Sequence, residues 1–571
     1  MARISEAAFS GSNQIRSAVH IPDFMRVHMY LPRNGKSFPV NFFLPPFQAE
    51  NIMRISLLAL LSIILLCHTG CSSQSNNPNS PTLTTPTTST APSTPPLTST
   101  DTNPPLLIDP ATSSWAFDRP ALSTLRAAPK KVFAHYLPAF PRSFDNLTPA
   151  ADYYSVQYLN PAGEAGKHLG SGGFIRERPA ARAPLSGADW EVTDCRAEVL
   201  RAAELGLDGF TYDILTTDST YRRRLSNMMS AAASADPGFK LVLMPDMTAE
   251  FGSKPENLKP YLKELATGAN NSALYRLSDG RLVISPFSAQ NQTPAWWKAT
   301  VLDPLAAEGV PIAFLPLFLD WRSNAAAFKN ISYGMSDWGS RQPVAAAEMK
   351  WWKIDSTPFT NLWMSPVGFS DVRPYNLTYT ETEASLGCRN AWNSAIQGKA
   401  DWAQVVTWND FAECSEMQPS TGIQSNAYKL DAYFLTWFKT GAAPTIVRDQ
   451  LMYLHRTHPL SAAPDLSKQT RRFTCSYGNP QVDVIELTGY LTAPGTLSIT
   501  IDGVTTTRDV GAGLQVMTAP LRLGRPSFAL RRNGALVLAI TSEWNISDSI
   551  IYQDMLYRGA DSSMPTGIAS R

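Results

Sequence analysis

Residues 209–245 read GFTYDILTTDSTYRRRLSNMMSAAASADPGFKLVLMP. Gly209 to Ile214 and Lys240 to Pro245 are short, largely apolar runs, and between them Tyr221 to Ala235 carries apolar residues at helical spacing. Strand, helix, strand is the unit of a parallel sheet. The same rhythm extends in both directions. Upstream, Val132 to Leu137 precedes a helix from Trp190 to Leu205 that should end at Gly206. Downstream, Lys240 to Pro245 is followed by Leu258 to Ala266, Arg281 to Pro286 by Pro294 to Glu308, and Pro311 to Leu317 by a weaker segment at Asn324 to Lys329. Ser332 to Asp337 leads into Val344 to Lys353, Asn361 to Ser365 into Glu383 to Gln397, and Ala403 to Trp408 into Ala427 to Lys439. Such a series of buried strands, each followed by a helix, predicts a (β/α)8 TIM-type barrel over 111–460, with a doubly wound sheet as the rival. Beyond His458 the pattern turns to alternation, as in Val482 to Leu487, Gly495 to Ile501 and Ala535 to Thr541. That predicts a C-terminal antiparallel β-sandwich over 461–571.

The chain has 571 residues, ample for an enzyme-sized core. Lys and Arg total 49 against 48 for Asp and Glu, a net charge of +1, so there is no basic field to gather nucleic acid. From Ser72 to Pro105, 29 of 34 residues are Ser, Thr, Pro or Asn. That composition cannot offset its ordering entropy and makes 72–110 a linker. Ahead of it, Met53-Arg54, the apolar run Ile55 to Cys67, and the small residues before Cys71 have the parts of an export signal over 53–71. Thr69-Gly70-Cys71 resembles a bacterial lipobox, which would attach a lipid to Cys71; simple secretion is the alternative. Residues 1–52 show no clear periodicity and precede the signal, so translation is expected to begin at Met53. Cys195, Cys388, Cys414 and Cys475 are left for disulfides, with connectivity open. No cysteine or histidine spacing nominates a metal, and no cofactor is expected.

In a barrel, chemistry sits at the C-terminal strand ends. These carry His135 and Tyr136, Tyr212 and Asp213, Asp246, Asp320 and Trp321, Asp337 and Trp338, and finally Trp408-Asn409-Asp410-Phe411-Ala412-Glu413. A single strand-end Asp is usually a cap or a turn former. Acids and indoles together on one rim point to sugar, because indoles pack on the C–H faces of pyranose rings and carboxylates chelate hydroxyls. Glycosidic cleavage needs two carboxyl groups, and Asp410 with Glu413 is the candidate pair. On a regular helix that spacing puts Cβ atoms about 5–6 Å apart, nearer the retaining separation, whereas a loop frees it; stereochemistry stays open on spacing alone. A metal site built from the same acids is the alternative.

Val132 to Tyr136, Gly206 to Phe210, Lys240 to Thr248, Arg281 to Ser285, Tyr333 to Trp338 and Val406 to Glu413 resemble, in order, motifs of glycoside hydrolase family 71, the α-1,3-glucanases or mutanases. The resemblance runs from about Val132 to His458, and Trp-Asn-Asp-x-x-Glu is its most specific part. It implies a barrel with a β-sandwich and inverting endo-hydrolysis of α-1,3-glucan, with Glu413 as general acid and Asp410 as base, or the reverse. Asp246, Asp337 and Asn409 would then bind sugar hydroxyls, Trp338 and Trp408 would be stacking platforms, and His135, Tyr212 and Asp213 would form the floor. Core packing is the competing role for each tryptophan. The chain departs from the family after Glu413, where it reads Cys-Ser-Glu-Met-Gln-Pro, so a substrate contact is expected to be lost there. It departs again in a long segment from Pro138 to Ala188, expected to be a lid or subsite wall. The expected protein is a monomeric, exported glycosidase with a polysaccharide substrate, touching the membrane only through Cys71. The rivals are a glycosidase acting on a different polysaccharide and a non-catalytic carbohydrate-binding lipoprotein.

Overall fold

The computed structural model describes residues 115–476 and 480–563, together with strands at Val27–Arg33 and Lys36–Phe42. The chain divides into two units, Met1–Leu97 and Thr98–Arg571. In the first, the two strands pair antiparallel with Val27 opposite Phe42. The sequence offers no strand rhythm there because Pro32 and Pro39 interrupt the alternation. The signal-like run at 53–71, Cys71 and the linker at 72–110 lie outside the described residues.

The second unit contains nine parallel strands in one sheet: β1 Lys131–Tyr136, β2 Gly209–Ile214, β3 Lys240–Pro245, β4 Leu282–Ile284, β5 Ile312–Phe314, β6 Leu317–Phe318, β7 Met335–Asp337, β8 Trp363–Val367 and β9 Trp402–Val405. Their order is β5-β4-β3-β2-β1-β9-β8-β7-β6. The expected run at Pro311 to Leu317 is thus divided in two, and Pro316 is the reason. Leu315 and Leu317 donate backbone N–H groups to Ile284 and Pro286 on one side, at 2.9 and 3.1 Å. The carbonyls of Phe314 and Pro316 accept from Tyr333 and Ser336 on the other, at 2.7 and 3.0 Å. Proline has no N–H to give to that second side, so the ladder breaks there.

Alternate side chains along these strands take opposite faces. Phe133, Val242, Val283, Ala313, Leu315, Met364 and Trp402 gather in one buried cluster, while Val132, Ala134, Phe210, Leu241, Leu282 and Ile284 join the helices in another. Burial on both faces is why the runs read as apolar almost throughout. The helix Trp190–Leu205 stops at Gly206, whose φ of 103° lets its N–H reach the Ala202 and Ala203 carbonyls. Asp218 caps Ser219–Ala235 by accepting from the N–H groups of Thr220 and Tyr221.

Two four-stranded antiparallel sheets follow. One has the order β14 Gly513–Pro520, β11 Val484–Leu491, β10 Gln450–His455, β17 Arg558–Asp561. The other has the order β13 Val504–Val510, β12 Gly495–Ile501, β15 Ser527–Arg532, β16 Ala535–Thr541. Leu451, Tyr453, Ile485 and Leu487 of the first share a buried cluster with Leu497, Ile499, Phe528 and Leu530 of the second. Gln450–His455 falls within 111–460 on the sequence reading, yet it is an inner strand of the first antiparallel sheet. The helix before it, Asn426–Thr440, is buried along nearly its whole length, and its Lys429 ammonium meets the Asp561 carboxylate of β17 at 2.8 Å. None of Cys195, Cys388, Cys414 and Cys475 is in a disulfide; all four are free thiols.

The segment from Pro138 to Ala188 is a fixed wall and not a lid. Arg178 pairs with Asp152 at 2.7 Å, Arg176 donates to the Gln553 carbonyl at 2.9 Å, and Glu177 pairs with Arg558 at 2.6 Å. Arg558 and Glu177 are buried, and Asp554 takes the other guanidinium nitrogen at 2.6 Å. Arg558→Met would leave the buried Glu177 carboxylate without its cation and Asp554 with only the more distant Arg176, at 3.9 Å. It should lower stability by about 3–5 kcal/mol, read as a fall in the urea midpoint together with faster tryptic cleavage inside 138–188.

Candidate active site

β9 ends at Val405, and the chain then forms a turn carrying Asp410 and Glu413. Asp410 builds that turn itself. Its Oδ1 accepts from the backbone N–H groups of Ala412 and Glu413 at 2.9 and 3.0 Å, and its own N–H donates to Thr407 Oγ1 at 2.9 Å. The departing segment Cys414 to Gln418 folds back as a brace: Thr407 donates to the Ser415 carbonyl and Met417 to the Thr407 carbonyl, each at 2.9 Å. That segment is therefore a support for the turn.

The two carboxyl groups sit in contrasting surroundings. Burial pushes Glu413 up to about 8; the Asp410 charge adds to this and Arg373 opposes it. The ion pair between Arg373 Nη2 and Glu413 Oε2, at 2.8 Å, would by itself favour the ionised form. It is outweighed by burial and by the Asp410 charge, and Asp371, which Arg373 also pairs with at 2.8 Å, adds to them. Burial raises Asp410 too, but here both backbone donors, His135 and Arg373 all favour the anion. Of the two, Asp410 is better equipped to hold a charge and Glu413 a proton.

Around the pair the structure gathers His135, Asp213, Asp246 and Trp338. His135 Nε2 lies 3.6 Å from Asp213 Oδ2, and burial pushes Asp213 up to about 6 with His135 opposing. Asp246 Oδ1 accepts from the Thr248 backbone and hydroxyl, each at 2.6 Å. The Trp338 ring stands edge-on to His135 with centroids 5.0 Å apart and is half-buried, so part of its surface faces out. On the strand faces turned the same way, Thr211 Oγ1, Ser285 Oγ and both amide atoms of Gln404 are buried without a hydrogen-bond partner. A hydroxyl-rich ligand or water is the natural complement of such groups.

Four expected residues lie elsewhere. Trp408 is 0 % exposed, packs on Phe210 at 5.3 Å, and donates its indole N–H to Glu198 at 3.3 Å, so it has no ring face for a sugar. Tyr212 is stacked on Tyr136 at 5.2 Å on the same outer face. Asn409 spends its side chain holding the chain after β1, accepting from Leu137 N–H and donating to the Leu137 and Phe140 carbonyls. Asp337 accepts from the backbone N–H groups of Trp321 and Gly339, at 2.9 and 2.8 Å. Strand alternation explains Tyr212, which takes the face opposite Asp213; Trp408 lies beyond the end of β9 at Val405, where the alternation no longer holds and its ring turns into the helix layer.

Sequence reading missed Arg373, Asp371 and Arg341. The available signal was the Asp-Val-Arg at 371–373 in the loop after β8, a strand end the census passed over. The loop is tied to the site through its backbone, Val372 donating to the Glu413 carbonyl at 2.8 Å. Arg341 donates to the Trp338 carbonyl at 3.0 Å.

The model of the family described as "Glycosyl hydrolase family 71" matches residues 186–557, more than half of the chain. The chain belongs to glycosyl hydrolase family 71. A glucan endo-1,3-alpha-glucosidase of Schizosaccharomyces pombe is 24% identical over 410 residues, covering 66% of this chain and 91% of that protein. A mutanase of Penicillium rubens is 22% identical over 418 residues, 66% of this chain and 88% of its own length. Among solved structures, the GH99 endo-alpha-mannosidase from Bacteroides thetaiotaomicron aligns over 54% of this chain and 97% of its own, at 13% identity and a TM-score of 0.42. As a family 71 protein, the chain is a glycoside hydrolase. The turn that carries its acidic pair can be probed without catalysis. Asp410→Asn keeps an oxygen for the two backbone donors and should leave the melting temperature nearly unchanged; Asp410→Ala removes it and should cost about 1 kcal/mol, read by thermal denaturation.

Proposed function

We propose that this protein is an exported endo-hydrolase of α-1,3-glucan that works with inversion, Glu413 serving as general acid and Asp410 as general base. The observation that carries the reading is the unequal environment of the two carboxyl groups, one kept protonated by burial and a neighbouring charge, the other held as an anion by backbone donors. Glu413 gives its proton to the glycosidic oxygen as the bond to the anomeric carbon breaks. Asp410, through Oδ2, takes a proton from the water that attacks the opposite face. Trp338 stacks on a sugar ring while Asp246 and Asp213 receive its hydroxyls. The substrate follows the relatives, whose names specify endo-1,3-alpha-glucan cleavage, one of them an ascus wall endo-1,3-alpha-glucanase of Schizosaccharomyces pombe. Export rests on the signal-like run and on that wall-directed relative, and a lipid on Cys71 would tether the enzyme.

In this reading the nine-stranded sheet acts as a (β/α)8 barrel whose fifth strand is Ile312–Phe318, bonded to β4 before Pro316 and to β7 after it. The two antiparallel sheets form the β-sandwich, supported by their shared buried cluster. A carbohydrate-binding protein without chemistry would have no use for a buried acid held protonated beside an anion.

Incubation with insoluble α-1,3-glucan should release reducing ends, and Glu413→Gln should lower the rate by about 10²–10⁴-fold while polymer binding persists. Release from a different glucan alone would overturn the substrate. The pH profile checks the roles: kcat/KM should fall as pH rises through about 8, where Glu413 loses its proton, and fall in acid as Asp410 gains one. A profile flat to pH 10 would remove Glu413 as the acid.

A further inference from the structure

The wall formed by residues 138–188 meets the turn that carries the acidic pair, Tyr154 packing on Phe411 at 5.9 Å and the Phe140 carbonyl accepting from Asn409, and all but its last three residues lie ahead of residue 186, where the match to the family begins. His168 stacks on Phe174 at 4.7 Å with ring planes 19° apart, and Phe174 meets Tyr375 at 6.0 Å. Tyr375 belongs to the loop that carries Arg373 and is 37% exposed. Its hydroxyl is pushed up to about 12 by burial and by the Glu413 charge, as befits a ring next to that carboxyl. Three aromatic side chains thus form a row, His168 to Phe174 to Tyr375, with its Tyr375 end near Glu413.

The row is held from the segment between β10 and β11. The Gly170 carbonyl accepts from the Thr470 backbone N–H at 2.7 Å, and a Cβ on Gly170 would come within 2.6 Å of the Thr470 methyl. Arg176 donates to the Ser171 carbonyl at 2.5 Å. On the other side, Arg471 donates to the carbonyls of Asn376 and Leu377. Both strips that supply the rings are therefore clamped to one support.

We infer that His168, Phe174 and Tyr375 form an aromatic ledge that binds a sugar ring of the glucan chain beyond the cleaved linkage, with Tyr375 as its exposed platform. The inference rests on the proposed glucanase activity. A flat ring with one open face suits the C–H face of a pyranose, and a pinned ring loses little entropy on binding. Through this ledge the segment 138–188 makes the enzyme prefer longer chains, and the segment between β10 and β11, which carries Thr470 and Arg471, acts as the ledge's foundation.

The test uses the full chain and soluble α-1,3-gluco-oligosaccharides of increasing length. Tyr375→Ala should raise KM by about tenfold for oligomers long enough to reach the ledge, with a smaller rise for the shortest ones cleaved and little change in kcat. Tyr375→Phe, which keeps the ring, should restore the wild-type length dependence. His168→Ala, at a half-buried position, gives a second reading of the same effect should Tyr375→Ala disturb its loop. KM values that match wild type at every length in both alanine variants would overturn the ledge alone. Absence of wild-type turnover on any α-1,3-glucan would overturn the substrate reading and the ledge with it.

Discussion

The site depends on one oxygen, Asp410 Oδ1, which accepts two backbone N–H groups and so shapes the turn that brings Glu413 beside it. The same bonds decide the electrostatics. They favour the anion on Asp410, and that anion, with burial, keeps the proton on Glu413. Architecture and chemistry therefore share an atom. A strand-end aspartate is more often a turn former than a catalyst, and in the proposed mechanism forming the turn is what prepares the group for chemistry.

Around the turn, support comes in layers. Cys414 to Gln418 fold back onto Thr407, Asn409 pins the chain after β1, and Trp408 is anchored through Glu198 on the neighbouring helix. None of these needs to touch a ligand. Residues 408–413 thus divide between scaffold and site by the direction each side chain takes: the indole goes outward into the helices, the amide along the rim, and the two carboxyl groups over the strand ends.

That division marks what could be read from the sequence. The strand–helix rhythm gave the parallel sheet because burial on both faces leaves apolar runs, and Gly206 marked a helix end because only a left-handed residue closes it there. Asp410 and Glu413 could be named from their motif, and His135, Asp213, Asp246 and Trp338 from their strand ends. Trp408 and Tyr212 were misplaced because a residue at a strand end can face either way, and a one-residue step reverses the choice. Arg373 was missed because an ion pair between a loop and a turn forty residues apart leaves no periodic trace. The division of β5 from β6 hinged on one absent N–H, visible only once the neighbouring strand was known.

The strand Gln450–His455 has a consequence for how this protein can be divided. It enters the antiparallel part of the molecule as an inner strand, directly after a helix buried along nearly its whole length, and β17, near the end of the described chain, returns to pair with it. The residues from 450 onward are thus no appended module to be exchanged or deleted. A cut between the two parts would bare the apolar flank of Asn426–Thr440 and strand Lys429 without Asp561, so the two parts have to fold together.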